Sequence, residues 1–113
     1  MNTRSHLRRL LLERDVVVAP GVYDGLTARL VEHTGFEVAM VTGAGVAAST
    51  LGVPDVGLAT MTEVLTQTRN IAQAVDIPVI ADCDTGYGNP LNVGRTVRDF
   101  EYAGVAGLFI EDQ

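Results

Sequence analysis

Asp82 and Asp84 stand where an apolar run, Val79-Ile80-Ala81, gives way to Thr85-Gly86-Tyr87-Gly88-Asn89. In a strand alternate side chains share a face, so the two aspartates point one way and Cys83 the other. Two carboxylates on one face at a strand's end suit a hard divalent cation. Without a cation they repel each other. Loop-capping aspartates are the structural alternative, and the D-x-D spacing taken alone does not choose between them. Glu111, at the end of a later apolar run, adds a third carboxylate to the same rim. Asp55 in Gly52-Val53-Pro54-Asp55 is either a fourth or a turn residue. The pattern is not a calcium loop: the sixth position is Tyr87 where glycine is required, and the twelfth is Val93 where glutamate is required.

A second segment able to do chemistry is Thr42-Gly43-Ala44-Gly45. Small residues let backbone N–H groups approach an anionic ligand closely. Gly43 to Ala48 also fits the dinucleotide fingerprint G-x-G-x-x-A, which demands a long helix and a later acidic residue at a strand end. Gly52 and Pro54 interrupt any long helix, and the only acid at a similar distance, Glu63, falls inside another helix. Nucleotide binding is therefore not expected. A merely structural turn is the remaining alternative. Cys83 reads as a buried structural thiol, and His6 and His33 as helix surface residues far from the strand ends.

The elements that must position these groups follow from apolar spacing and caps. Leu7, Leu10, Leu11 and Leu12 among arginines predict an amphipathic helix over 4–14. Val16-Val17-Val18-Ala19, stopped by Pro20-Gly21, predicts a strand buried on both faces. Asp24 caps a helix through His33, closed by Gly35. A strand over 38–41 follows. Thr60 and Glu63 have capping-box spacing for a helix to Val75. Ile77 to Ala81 is the third strand. Asn89-Pro90 opens a helix to Ala103, with Gly104 beyond it. Gly107 to Ile110 is the fourth strand.

Alternation of this kind predicts parallel βα units. A doubly wound sheet and part of a (β/α)8 TIM barrel both fit. The barrel is favoured because each polar cluster lies at a strand's C-terminal end, where barrel active sites assemble. A complete barrel needs about 250 residues, so residues 1–113 are expected to form the N-terminal part of one barrel domain, stopping after the fourth strand. An extra helix would precede the first strand.

Bulk composition excludes several classes. Hydrophobic residues make up 47% and charged residues 19% of the 113, as in a globular chain. The net charge is −6, the pI is near 4.6, and all eight basic residues are arginine, with no basic run beyond Arg8-Arg9. Neither nucleic acid nor an anionic membrane is an expected partner. No apolar stretch approaches the roughly 20 residues of a spanning helix. Arginines break up any apolar core of a signal peptide. One cysteine permits no intrachain disulfide and fits a reducing cytoplasm.

The strings Pro20-Gly21-Val22-Tyr23-Asp24-Gly25, Thr42-Gly43-Ala44-Gly45, Leu51-Gly52-Val53-Pro54-Asp55, Asp82-Cys83-Asp84-Thr85-Gly86-Tyr87-Gly88-Asn89 and Ile110-Glu111-Asp112-Gln113 occur here in order. From about Leu7 onward the chain resembles the isocitrate lyase / phosphoenolpyruvate mutase superfamily. It is most similar to the 2-methylisocitrate lyase, oxaloacetate decarboxylase and carboxyphosphonoenolpyruvate mutase branches. Cys83 and Thr42 depart from the commoner alanine and serine. The resemblance implies a Mg²⁺-dependent enzyme, with Mn²⁺ as a substitute, acting on a small α-keto or α-hydroxy carboxylate. A C–C or P–C bond would break to leave an enolate-like species. Asp84 would ligate the metal directly, and Asp82, Glu111 and Asp55 largely through water. Thr42, Gly43, Ala44 and Asp82 would bind substrate, and Thr42 and Asp55 would serve catalysis. A cytoplasmic homo-oligomer, a dimer of dimers, is implied. The lyases' K-[KR]-C-G-H loop would follow the fourth strand, beyond Gln113, so lyase, decarboxylase and mutase are not separated here. The alternative of a different class is a non-catalytic piece that acts only by association.

Overall fold

The computed structural model describes residues 2–113. Helix α1, Thr3–Glu13, begins at Asn2, whose side chain accepts the Ser5 N–H. Strand β1 is Gly21–Val22, and α2 is Gly25–Thr34 with Asp24 and Thr27 forming a reciprocal cap. Strand β2, Ala39–Val41, runs into α3, Gly43–Val46, which continues as a π-helical turn over Ala47–Leu51. Helix α4, Met61–Ala74, carries the Thr60–Glu63 capping box. Strand β3 is Val79–Asp82, α5 is Pro90–Ala103 and β4 is Gly107–Phe109. Helices α2 and α5 both end at glycines in the left-handed conformation, Gly35 and Gly104.

The four strands are parallel and lie in sequential order, β1-β2-β3-β4. A doubly wound sheet reverses its strand order at a switch point. Here the order never reverses, so the sheet is a wall segment of a barrel. The main core lies between sheet and helices, where Val22, Val41, Ala81 and Cys83 meet Ala28, Val64, Ile71 and Phe100, all at most 1% exposed. A smaller cluster joins Leu7 and Leu10 of α1 to Val38, with Ile80 and Val17 against it.

The expected strand at Val16–Ala19 is not formed. That stretch makes no strand pairing, and Val16 and Val18 are 75% and 60% exposed. Pairing starts later because Pro20 lacks a donor but not an acceptor: its carbonyl takes the Met40 N–H at 3.0 Å, and the ladder continues through Gly21 and Val22. The small-residue segment at 42–45, read as an anion-binding segment or a structural turn, is the head of a helix. Its length, ending at left-handed Gly52, is too short for the dinucleotide fingerprint. His33 is exposed and His6 half-buried, both on helices.

Candidate active site

A cleft of about 520 Å³ opens at the C-terminal ends of β2, β3 and β4. Gly43, Asp55, Asp82, Asp84, Thr85, Tyr87, Glu111 and Gln113 bring polar groups to it, and Val56, Leu58, Ala59 and Val64 form an apolar wall. Four carboxylates thus face one space that no basic side chain lines among the described residues.

Asp82 is the last residue of β3 and is held from two sides. Its Oδ2 accepts the Gly43 N–H at 3.1 Å and its Oδ1 accepts the Asp84 N–H at 2.9 Å. The first bond ties the end of β3 to the head of α3. It also explains the glycine: a Cβ at position 43 would stand 2.8 Å from Asp82 Oδ2.

Asp84 reaches the cleft by a route different from the expected one. The strand has ended, and Asp84 lies in a turn with φ +49, in the left-handed region. Turn geometry, with the Gly86 N–H bonded to the Cys83 carbonyl at 2.9 Å, aims its side chain. The Asp84 carbonyl accepts the Glu111 N–H at 2.7 Å, so the third carboxylate is placed by the backbone of the second. Among the described residues no hydrogen bond or ion pair engages the half-buried Asp84 carboxylate. Glu111 is exposed, and its Oε2 accepts from the Gln113 side-chain amide.

Thr42 and Ala44 do not line the cleft. The Thr42 hydroxyl accepts the Gly45 N–H at 3.2 Å as the N-cap of α3. Ala44 is exposed beside it. The amides of Gly43 and Gly45 are therefore both engaged within the chain. Asp55 lies on the cleft's exposed margin.

Cys83 is fully buried on the opposite side of the strand. Burial, and next the charge of Asp82, push its thiol up to about 12, so it stays protonated and unreactive. Tyr87 was not singled out from the sequence. It has φ +61, its ring stacks parallel to Phe100 at 6.5 Å, and burial is the main cause raising its phenol above the ordinary range, with Cys83, Asp84 and Asp82 adding to it. The only signal for it was a bulky residue between two glycines.

No three His, Cys, Asp or Glu side chains among the described residues form a ready-made metal cluster. The donors facing the cleft are nonetheless all oxygens, and Asp84 is free to bind. That set fits Mg²⁺, which keeps several waters and needs only one or two carboxylates directly.

Parallel strands in unbroken order, with a carboxylate-lined cleft at their C-terminal ends, place the chain among (β/α)-barrel proteins with their site at the customary face. A family model described as phosphoenolpyruvate phosphomutase matches residues 7–113, and the chain belongs to that family. It is 51% identical over 113 residues to the 2,3-dimethylmalate lyase of Eubacterium barkeri, covering 100% of this chain and 39% of that protein. To the chloroplastic carboxyvinyl-carboxyphosphonate phosphorylmutase of Arabidopsis thaliana it is 48% identical over 114 residues, 100% of this chain and 33% of the relative. The crystal structure of phosphonopyruvate hydrolase complexed with oxalate and Mg²⁺ superposes with a TM-score of 0.95 at 35% identity, covering 100% of this chain and 40% of that one. The chain therefore spans well under half the length of these relatives.

Proposed function

We propose that the protein is a Mg²⁺-dependent enzyme that cleaves a C–C bond of a small α-keto or α-hydroxy carboxylate, in the manner of a 2-methylisocitrate lyase or oxaloacetate decarboxylase. The observation that carries this reading is the half-buried, unengaged carboxylate of Asp84 in a cleft shared with Asp55, Asp82 and Glu111. Asp84 would hold the metal, or Mn²⁺ in its place, directly. Asp82 and Glu111 would hold its waters. Once bound, the cation would act as Lewis acid and template for the substrate's carboxylate and keto oxygens.

The remaining chemistry falls to the chain. Gly43 at the head of α3 lines the cleft, with Ala44 beside it, and a substrate carboxylate would take the Gly43 N–H in exchange for Asp82 Oδ2, bringing a donor to charge developing there. Thr42 supports this by capping that helix, a role in positioning distinct from direct contact with substrate. Asp55, on the margin, would pass a proton through bound water. The apolar wall of Val56, Leu58, Ala59 and Val64 would pack against the aliphatic part of the substrate. Support also comes from a lyase relative at 51% identity and from a neighbour solved with oxalate and Mg²⁺.

A P–C bond rearrangement is the second reading, favoured by the 48% identity to a phosphorylmutase. Residues 1–113 would supply the N-terminal part of the barrel domain. We place the protein in the cytoplasm as a homo-oligomer, a dimer of dimers. In keeping with this, Cys83 is a free thiol, and no helix of the described residues is long and apolar enough to cross a membrane. Isothermal titration of the full-length protein with Mg²⁺ and oxalate tests the central claim. Asp84→Asn should abolish ternary binding, and undiminished binding would refute the assignment.

A further inference from the structure

Among the described residues two threonines are wholly buried inside helices, and they behave differently. Thr68 of α4 satisfies its hydroxyl locally, donating to the Val64 carbonyl one turn earlier at 2.8 Å. That is the ordinary solution for a helical threonine. Thr96 of α5 has the same option in the Asn92 carbonyl at 3.0 Å. Yet its hydroxyl lies closer, at 2.8 Å, to the carbonyl of Gly86, ten residues away in the loop that carries Asp84. A hydroxyl has one proton to give. Satisfying Thr96 did not require the loop.

The contact is the centre of a longer seam. Val93, Thr96 and Phe100 follow at helical spacing along one face of α5. Gly86 packs so tightly on Val93 that a Cβ there would lie 2.6 Å from Val93 Cγ2. Beyond Thr96, Phe100 receives the Tyr87 ring. The loop thus clamped has left-handed backbone at Asp84, Gly86 and Tyr87. Such backbone at two non-glycine residues persists only where the surroundings over-determine it.

We propose that Thr96 is a positioning residue for the acidic rim: its buried hydroxyl, bonded to the Gly86 carbonyl, fixes the turn that aims Asp84 into the cleft. The inference rests on the metal-site reading of Asp84 for its functional consequence, but not for its structural one. Groups that orient metal ligands from behind typically govern affinity by about 10–100-fold.

Thr96→Val keeps the shape and removes the donor, whereas Thr96→Ser keeps the donor. In the full chain without metal, hydrogen exchange of the segment 83–89 should accelerate in Thr96→Val and return to wild-type rates in Thr96→Ser. The second half of α5 should stay protected in both. Manganese titration followed by the spin-resonance signal of free Mn²⁺ should show about tenfold weaker binding in Thr96→Val, restored by serine. Unchanged exchange in Thr96→Val, or failure of serine to restore it, overturns the proposal. So does general loss of protection across α5, which would mark a merely structural role. If wild-type protein binds no Mn²⁺ while the exchange contrast holds, the metal reading fails and the clamp on the loop stands.

Discussion

Asp82 Oδ2 and the Gly43 N–H meet at 3.1 Å although the residues are 39 positions apart in the chain. This bond couples two strand ends and places a carboxylate over the head of α3. Any side chain at position 43 must displace one partner. Gly43→Ala puts a Cβ 2.8 Å from Asp82 Oδ2, and overpacking of this kind costs about 1–3 kcal/mol. Urea denaturation should show that loss, and oxalate titration should show weakened ligand binding beyond it. A variant with wild-type midpoint and affinity would mean that the contact is dispensable.

Cys83 offers a pH-dependent test. Its thiol rises from an ordinary 9.0 to about 12 through burial and the Asp82 charge. A group whose pKa is raised by folding contributes stability that is fully present below its unfolded pKa and is lost as pH rises toward its folded one. Wild-type stability should therefore fall between about pH 9 and pH 12, and Cys83→Ala should flatten part of that fall. Tyr87, raised in the same direction, accounts for some of the remainder. At pH 8 the native thiol should resist alkylation and react only on unfolding. Rapid native-state labelling would contradict its burial.

Asn89 caps α5, accepting the N–H groups of Leu91 and Asn92 at 2.9 and 3.1 Å. Asn89→Ala should cost about 1 kcal/mol, read from a denaturant melt. Because the same helix carries Val93 and Thr96 against the acidic loop, ligand affinity should drop as well. Equal affinity at reduced stability would show that the helix start and the loop are uncoupled.

How far the sequence reached depended on which interactions were local. Caps at Asp24, Thr60 and Asn89 and the apolar strands at 38–41 and 77–81 were legible, because each signal lies within a few residues of what it controls. Val16–Ala19 misled because continuous apolar character describes a buried strand only if neighbours exist to bury it, and Val16 and Val18 lack them. The start of α3 at Gly43 was hidden behind its glycines, although Thr42 three residues before Gly45 is a legitimate cap signal. Asp82 and Asp84 do share a cleft. The strand alternation offered as the reason does not hold, since a left-handed turn intervenes. Thr96 gave no signal and Tyr87 only its place between two glycines, because their partners, Gly86 and Phe100, are set by how the loop folds back on α5.

The acidic cleft gives the last prediction its sign. A divalent ion held by the folded cleft and not by the unfolded chain should stabilise the fold. At ligand about 100-fold above its dissociation constant, linkage predicts about 2.7 kcal/mol of added stability. Depending on the size of the domain, each kcal/mol is worth about 2–8 °C. Mg²⁺ with oxalate should therefore raise the melting temperature of the full-length protein by several degrees, and chelation should reverse the rise. Asp84→Asn removes the direct ligand but no hydrogen bond or ion pair of the fold, so without metal its melting temperature should match that of wild type. On adding Mg²⁺ and oxalate it should not move. A variant that starts lower and still gains the full shift would mean that Asp84 serves the fold and another group holds the ion.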